Sequence, residues 1–270
     1  MARKDPTRKR LPNGGCRKLC WIDENLCRLT IGADDKKIVV ELEGEATLSD
    51  LDVRAMLALD DDPDIDLPPD DPLEKLPTRI RRLRLGRVPW LYEAAFQTVL
   101  HQRVSGTEAG KSWYKLCRKF GEPWDSLSSA PSPRRVLQLS SADFASCGIE
   151  QKRMLPVREA AFRLKKKPSL ATTYEQTGEM MRACRGIGIW TEQYVRGHFL
   201  GDSDAVPLGD YVLPSTVAYF FEGKRKGTDD DMLRILKPYR GNRFRVLSWL
   251  EWSGAGPPRR GPRLPHGSML

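Results

Sequence analysis

The stretch Arg185-Gly186-Ile187-Gly188-Ile189-Trp190 decides the fold of this 270-residue chain. Helical patterns over Thr172–Cys184 and Trp190–Leu200 flank it on both sides. Two glycines around one apolar residue let the backbone reverse tightly, which predicts a hairpin with Ile187 tucked beneath the turn. Because the second helix begins there, its free N–H groups and positive dipole end can bind a phosphate. Such a turn also serves simple packing, so its surroundings have to decide between the two interpretations.

A loop rich in glycine and proline follows the second helix, from Gly201 to Tyr211. It turns at Pro207 and brings Asp210 to the start of the next predicted helix, Leu213–Phe221. An Asp in this position can cap the helix, because its carboxylate accepts bonds from the first free backbone N–H groups. A carboxylate there is also available for chemistry, and the local pattern leaves both roles open.

Basic residues outnumber acidic residues by 45 to 36, which gives a net charge of +9. They cluster in residues 1–18, 79–87, 163–167 and 259–263, whereas residues 60–71 are acidic. Basic clusters are the expected footprint of a polyanion partner, although solvated lysines and arginines produce the same pattern.

No apolar run approaches the roughly 18–20 residues of a membrane span. No apolar segment follows the basic N-terminus, so we expect an intracellular protein of the cytoplasm or nucleoid, without a membrane partner.

Six cysteines and three histidines offer few ligands for a metal centre. Cys16, Cys20 and Cys27 form the nearest group, but no Cys-x-x-Cys pair or fourth ligand follows them. No two histidines stand at metal-ligand spacing. We therefore expect reduced thiols, no zinc, no iron–sulfur cluster and an activity that needs no cofactor.

Periodicity divides the chain into a small mixed segment and a long helical one. Two strand-like runs, Leu26–Thr30 and Lys37–Leu42, and a helix start at Thr47-Leu48-Ser49-Asp50 predict a small α+β unit. Apolar residues at helical spacing dominate the remainder. The predicted domains are a basic flexible tail (1–18), a small α+β domain with an acidic linker (19–72), a helical domain containing the hairpin motif at about 175–200 (73–254), and a disordered tail (255–270).

Hairpin, helix, Gly/Pro-rich loop and Asp follow one another as in the helix-hairpin-helix (HhH-GPD) DNA glycosylases. The chain resembles the 3-methyladenine-DNA glycosylase II (AlkA-like) branch of that superfamily. Three further segments match: Leu83–Ser105 with its Gln-containing turn, Gly148–Arg153, and Lys237-Pro238-Tyr239-Arg240. The resemblance implies a mainly α fold with a small N-terminal α+β unit and two helical subdomains flanking a base-binding cleft.

The resemblance implies a DNA N-glycosylase of base excision repair, which flips a damaged base out of duplex DNA and hydrolyses its bond to the sugar. Positive charge develops on the sugar as that bond breaks, and a nearby carboxylate stabilises the charge and aligns a water. Asp210 matches the family's carboxylate, so we expect it to be catalytic, with helix capping as a compatible second role. Damaged duplex DNA is the expected partner. A monomer is expected, because one damaged base presents no twofold symmetry.

Related bifunctional glycosylases carry a Lys two residues after the second hairpin glycine, where it forms a Schiff base with the sugar. Trp190 stands there in this chain, and an indole cannot form an imine, so we expect no strand cleavage. The iron–sulfur branch carries four cysteines after its last helix, whereas no Cys follows Cys184 here. Some relatives hold a monovalent cation, usually sodium, through hairpin carbonyls. The matching residues are Arg182, Cys184 and Ile187.

Aromatic residues match the base pocket of the AlkA-like enzymes: Trp190, Tyr194, Tyr211 and Trp249, with Trp252 competing with Trp249. Electron-rich rings attract cationic alkylated purines such as 3-methyladenine or 7-methylguanine by roughly 0.5–2 kcal/mol per face. These bases are good leaving groups and need no general acid. The alternative interpretation is that these rings are ordinary core. Alternative functions are a glycosylase for hypoxanthine or oxidised bases, and a non-catalytic protein that binds damaged DNA.

Two segments match the family's DNA-binding residues: the hairpin Arg185-Gly186-Ile187-Gly188, and the turn containing Gln102 and Arg103. In the AlkA-like pattern a Leu after the Gln fills the gap left by the flipped base, and Arg103 stands in its place. Arginine can stack and hydrogen-bond with the orphaned base, but it is a costlier wedge than leucine. The alternative is that Arg103 contacts a phosphate while Gln102 fills the gap.

Overall fold

The computed structural model describes residues 5–12, 14–34, 37–166 and 170–258. The chain divides into two compact units. Unit 1 contains residues 1–62 and 84–208, and unit 2 contains residues 63–83 and 209–270. This division differs from the predicted domains, because the segments 19–72 and 73–254 each contribute residues to both units.

Unit 1 begins with a four-stranded antiparallel sheet whose strands are adjacent in chain order. The strands are β1 (Arg8–Arg10), β2 (Cys16–Ile22), β3 (Asn25–Asp34) and β4 (Lys37–Glu43). The predicted flexible tail over residues 1–18 is therefore wrong for β1 and the start of β2, which pair with each other. The Asp5 carboxylate fixes this segment, since it accepts bonds from the Thr7 N–H (3.0 Å) and the Trp113 indole N–H (3.0 Å).

Helices make up most of the remaining described residues, and a short hairpin of β5 (Pro123–Trp124) and β6 (Leu127–Ser128) interrupts them. The helices are α1 (Asp50–Met56), α2 (Thr78–Arg81), α3 (Leu91–Leu100), α4 (Gly106–Phe120), α5 (Pro133–Gln138), α6 (Ser141–Ser146), α7 (Gln151–Arg163), α8 (Tyr174–Arg182), α9 (Ile189–Leu200), α10 (Leu213–Glu222), α11 (Asp229–Ile235) and α12 (Arg243–Ser253). The prediction of a mainly α protein with a small N-terminal α+β unit is confirmed, since β1–β4 and α1 precede the long helices.

Helix α3 is the centre of unit 1 and packs against α4, α7 and α9. Its apolar side chains are buried, and so is Glu93. The Glu93 carboxylate accepts bonds from the Trp21 N–H (2.7 Å) and the Lys18 ammonium (2.9 Å), both on β2. Burial raises the pKa of Glu93, against the attraction of Lys18. This buried ion pair fastens the sheet to the helices, which explains why the predicted α+β domain is not separate.

Unit 2 combines the segment 63–83 with α10, α11 and α12. Helix α10 packs against both α11 and α12. The Tyr239 hydroxyl bonds to the Asp71 carboxylate, which also accepts a bond from the Leu73 N–H (2.8 Å). The end of the predicted acidic linker is therefore part of a folded unit. Of the predicted disordered tail over 255–270, residues 259–270 lie outside the described residues. Within the described stretches, none of the helices has the length and apolar character that crossing a membrane requires.

Candidate functional site

The predicted hairpin connects α8 to α9 in unit 1. Gly186 has a φ of +90°, and a Cβ added to it would lie 3.0 Å from Pro156, a proline inside α7. Both the backbone conformation and the contact with Pro156 therefore require glycine at this position. Ile187 is buried under the turn as predicted, and its N–H donates to the Cys184 carbonyl (3.0 Å).

Gly188 is the N-cap residue of α9, and its environment differs from that of Gly186. Its φ of −97° and ψ of −178° are extended values that any residue adopts. Beyond its neighbours in the chain, no described residue has an atom within 4 Å of a Cβ added there. Neither backbone conformation nor internal packing thus requires glycine at position 188, which lies exposed at the start of the helix.

The turn after α3 lies against the hairpin. The Gln102 amide group donates to the Gly186 carbonyl (3.2 Å) and to the Thr191 hydroxyl (2.9 Å). The buried Arg153 holds the end of α3, because its guanidinium donates to the Leu100 carbonyl (3.1 Å). Arg103 is exposed and has a φ of +57°. The structure therefore brings Gln102 together with the hairpin and leaves Arg103 projecting from the same turn.

Three aromatic side chains follow one face of α9 at intervals of four residues. The ring centroids of Trp190 and Tyr194 are 5.2 Å apart, and those of Tyr194 and His198 are 4.1 Å apart. All three side chains are half-buried, so this face is not ordinary core. Sequence reasoning identified Trp190 and Tyr194 and missed His198. The same four-residue spacing could have indicated it.

A buried ionic network lies behind this face and fixes the loop that leaves α9. The Glu192 carboxylate is completely buried and pairs with Arg182 (2.7 Å) and Arg196 (2.9 Å). Arg196 also donates to the Asp202 carboxylate through its Nε (2.8 Å). The Gln193 side-chain oxygen accepts a bond from the Val206 N–H (2.9 Å). The part of the Gly/Pro-rich loop that belongs to unit 1 is thus held to α9 at two points, Asp202 and Val206.

The carbonyls predicted to hold a sodium ion belong to Arg182, Cys184 and Ile187, all at this hairpin. The Cys184 carbonyl already accepts the Ile187 N–H, and a carbonyl oxygen has a second lone pair for a cation. The residues are compatible with a cation, and the site stays a prediction. Among the described residues, no three His, Cys, Asp or Glu side chains are grouped to hold a metal ion.

Asp210 lies in unit 2, two residues before Val212, which is the N-cap residue of α10 in place of the predicted Asp210. Its Oδ1 accepts bonds from the N–H groups of Val212 (2.7 Å) and Leu213 (2.9 Å), so the carboxylate still satisfies N–H groups at the start of the helix. These two bonds fix the orientation of the carboxylate. Tyr211, beside it, is 97% exposed. Asp210 is therefore a half-buried acid whose carboxylate is oriented by two backbone bonds, beside the exposed Gly209 and Tyr211.

Helix α12 of unit 2 carries both tryptophans considered for the base pocket. Trp249 is 2% exposed and is one of the largest fully buried side chains, whereas Trp252 is 71% exposed. Protein atoms cover the indole of Trp249, so the structure does not support the prediction that this residue lines an open pocket. Trp252, the competing candidate, presents its ring to solvent.

Glu251, between these two tryptophans along α12, was missed by sequence reasoning. Although the residue is exposed overall, desolvation of its carboxyl group raises its pKa, and repulsion from the Asp210 carboxylate adds to the effect. Together they bring the pKa of Glu251 to about 7. No local pattern relates two acids so far apart in the chain.

Comparison with known proteins gives one relative in sequence and several in structure. No family model matches the chain. A DNA-3-methyladenine glycosylase of Bacillus subtilis is 26% identical over 192 residues, which cover 67% of this chain. The chain spans only 60% of the length of that relative.

The structural matches are longer. A 3-methyladenine DNA-glycosylase from Archaeoglobus fulgidus has a TM-score of 0.66 at 18% identity, over 92% of this chain and 89% of that one. An 8-oxoguanine glycosylase/lyase from Clostridium acetobutylicum, solved with duplex DNA, has a TM-score of 0.66 at 12% identity, over 92% and 88%. A 3-methyladenine DNA glycosylase from Schizosaccharomyces pombe, solved with abasic DNA, has a TM-score of 0.58 at 16% identity, over 73% of this chain and 94% of that one. The chain has the fold of the helix-hairpin-helix DNA glycosylases.

Proposed function

We propose that this protein is a monofunctional DNA N-glycosylase that removes alkylated purines, of the 3-methyladenine and 7-methylguanine type, from duplex DNA. The observation that carries the proposal is Asp210: in a chain with this fold, its half-buried carboxylate is oriented by two backbone N–H groups, next to the exposed Tyr211. A carboxylate about 4 Å from the developing positive charge of the sugar stabilises it by roughly 4 kcal/mol at an effective dielectric of about 20. That corresponds to about a thousandfold in rate.

The hairpin supplies the contact with the DNA backbone in this proposal. Gly188 has no structural need to be glycine, and a side chain there would project beside the free N–H groups at the start of α9. Close approach of a phosphate to those N–H groups accounts for the glycine. Gly186 and Ile187 shape the turn, and the exposed Arg185 adds a positive charge beside it.

Arg103 is the residue that we propose fills the gap left by the flipped base. Gln102, the alternative, has its amide group engaged with Gly186 and Thr191, so moving it into the duplex would break two hydrogen bonds. Arg103 is exposed and projects from the same fixed turn. Its guanidinium can stack on neighbouring bases and donate to the orphaned one.

Each unit offers two aromatic residues that we propose as base contacts: Trp190 and Tyr194 in unit 1, and Tyr211 and Trp252 in unit 2. Their exposed or half-buried rings suit a flat cationic purine, whose attraction to a ring face requires no acid. Trp252 replaces Trp249 in this assignment because of its exposure. Trp190 also stands where bifunctional relatives carry their Schiff-base lysine, so we propose hydrolysis without cleavage of the strand.

Single-lesion duplexes test the proposal. Each duplex carries 7-methylguanine, 3-methyladenine or its stable analogue, hypoxanthine, or 8-oxoguanine, and the released base and abasic sites are measured under single-turnover conditions. We expect release of the methylated purines and strand breaks only after alkali. Release confined to hypoxanthine or 8-oxoguanine would favour the alternative substrates. Tight binding without release from any lesion would favour a non-catalytic protein, and nicking that copurifies with the protein would contradict the monofunctional assignment.

A further inference from the structure

A second acid in unit 2 holds the turn that leads into Asp210. The N–H of Gly209, the residue directly before Asp210, donates to Oδ2 of Asp229 at 2.8 Å. Asp229 is the first residue of α11, some twenty residues further along the chain. The bond therefore joins the start of one helix to the turn that precedes another.

The link between α10 and α11 explains why Asp229 reaches this turn. The chain folds back closely at Gly227, where an added Cβ would lie 2.3 Å from the Pro214 carbonyl oxygen in the first turn of α10. The Gly227 N–H donates to the Ser215 hydroxyl (3.3 Å) in the same turn. The N-terminal ends of the two helices are thereby brought together.

Asp229 is not needed to cap its own helix. Thr228 and Asp231 form a complete capping box, in which the Thr228 hydroxyl accepts the Asp231 N–H (3.2 Å) and the Asp231 carboxylate accepts the Thr228 N–H (3.1 Å). The start of α11 is thus fixed by other residues. The Asp229 carboxylate instead accepts the Gly209 N–H.

Gly209 is the part of this turn that most needs an external support. Its φ is +82°, and apart from its two chain neighbours no described residue has an atom within 4 Å of the place where its Cβ would be. A glycine without neighbouring atoms has several accessible backbone conformations. The two bonds to Oδ1 of Asp210 orient that carboxylate relative to Val212 and Leu213 on the helix side of the turn. The bond to Asp229 selects one orientation of the peptide group between Leu208 and Gly209.

We propose that Asp229 is a positioning residue for Asp210, which clamps the Gly209 N–H so that the carboxylate is held in its catalytic orientation. The inference rests on the proposed function of Asp210. Catalytic groups have to be held within about 0.5 Å of their working position. Loss of the hydrogen bond between Gly209 and Asp229 is therefore expected to lower the rate at which the base is released. DNA binding through the hairpin is expected to be retained.

Three substitutions separate this role from a general loss of structure. Asp229→Ala removes the acceptor, and Asp229→Asn keeps an acceptor oxygen while removing the charge. Asp230→Ala, at the exposed neighbouring position in the first turn of α11, is the matched control that also removes one charge. The measurements are the single-turnover rate of 7-methylguanine release, the Kd for a duplex with an uncleavable abasic analogue, and hydrogen exchange of the Gly209 amide.

For Asp229→Ala we expect a rate about tenfold lower, an unchanged Kd and faster exchange at Gly209. Asp229→Asn should stay within about threefold of the wild type, and Asp230→Ala should match it. A rate within twofold of the wild type for Asp229→Ala, or an equal loss in Asp229→Asn, would overturn the inference. If the wild-type protein releases no base from any lesion, the proposed function fails first, and the inference falls with it whatever Gly209 exchange shows.

Discussion

At the scale of single residues, glycine occurs at the two hairpin positions for different physical reasons. Gly186 is required by the protein itself, through its positive φ and its contact with Pro156. At position 188 neither the backbone conformation nor a packing contact requires glycine, so we attribute this glycine to the close approach of the proposed DNA phosphate. Substitutions at the two positions should therefore fail in different ways, the first in folding and the second in binding.

Gly188→Glu places a carboxylate beside the N–H groups that we propose bind a phosphate. Because position 188 is extended and open, the variant should fold with an unchanged Tm. We expect its affinity for duplex DNA to fall by at least about tenfold, whether or not a lesion is present, since this contact does not read sequence. Gly188→Gln is the matched neutral control and should lose less. Equal affinity of Gly188→Glu and the wild type would remove the hairpin from the DNA contact.

Some of these residues could be predicted from the sequence and others could not. Gly186, Ile187 and Asp210 belong to local patterns, in which glycine freedom, helix starts and chain order carry the signal. Asp229 is different, because its partner Gly209 is reached only through the fold-back at Gly227. The choice between Trp249 and Trp252 as the pocket residue also depends on the fold. Packing of α12 buries the first and exposes the second, which their spacing in the sequence does not indicate.

At the scale of elements, the junction between β2 and α3 determines how the N-terminal sheet is attached. Glu93 is 1% exposed and satisfies both the Trp21 N–H and the Lys18 ammonium. A carboxylate buried to this extent is stable only while its partners remain. The sheet and the helices of unit 1 should consequently unfold together.

Lys18→Met tests this attachment. It leaves the Glu93 carboxylate buried without its ion-pair partner, so we expect the free energy of unfolding to fall by about 3–5 kcal/mol. The double variant Lys18→Met with Glu93→Gln removes the stranded charge and should recover a large part of that loss. Urea denaturation followed by circular dichroism measures both. A loss below 1 kcal/mol in the single variant would mean that the pair does not fasten the sheet.

The elements also show which signals a sequence carries. The helices α8, α9 and α10 were predicted individually, and the helical character of the remaining chain as a whole, because apolar residues recur at helical spacing. Strand β1 was missed because its composition, Arg8-Lys9-Arg10, is that of a solvated tail, and its structure depends on pairing with β2. Helix α11 was missed although its three N-terminal Asp residues complement the helix dipole and could have indicated a helix start.

At the scale of the whole molecule, two units are each assembled from separate stretches of the chain. Sequence periodicity identifies helices without indicating which of them share a core, which is why the predicted boundaries at residues 72 and 73 do not match. Most of the cysteines are buried in the cores that these stretches form together. All six lie within the described stretches; Cys16 is exposed, and the other five are buried.

Thiol titration follows from this burial. Burial raises the pKa of Cys184, next to the hairpin, to about 11, so only about one molecule in a thousand carries its thiolate at pH 8. We expect one thiol per chain, Cys16, to react rapidly with a disulfide reagent in the native protein, and six after denaturation. Cys16→Ser should abolish the rapid phase. Rapid reaction of two or more native thiols would show that the cores open readily.

The central claim is that the fixed carboxylate of Asp210 performs the chemistry. The most direct test is the single-turnover release of 7-methylguanine by Asp210→Asn, measured beside the Kd for the same duplex. Asparagine keeps an oxygen for the Val212 and Leu213 N–H groups, so the cap survives while the charge is lost. We predict a rate roughly a thousandfold lower with a Kd within about threefold of the wild type. A variant that retains a tenth or more of the wild-type rate would contradict the account.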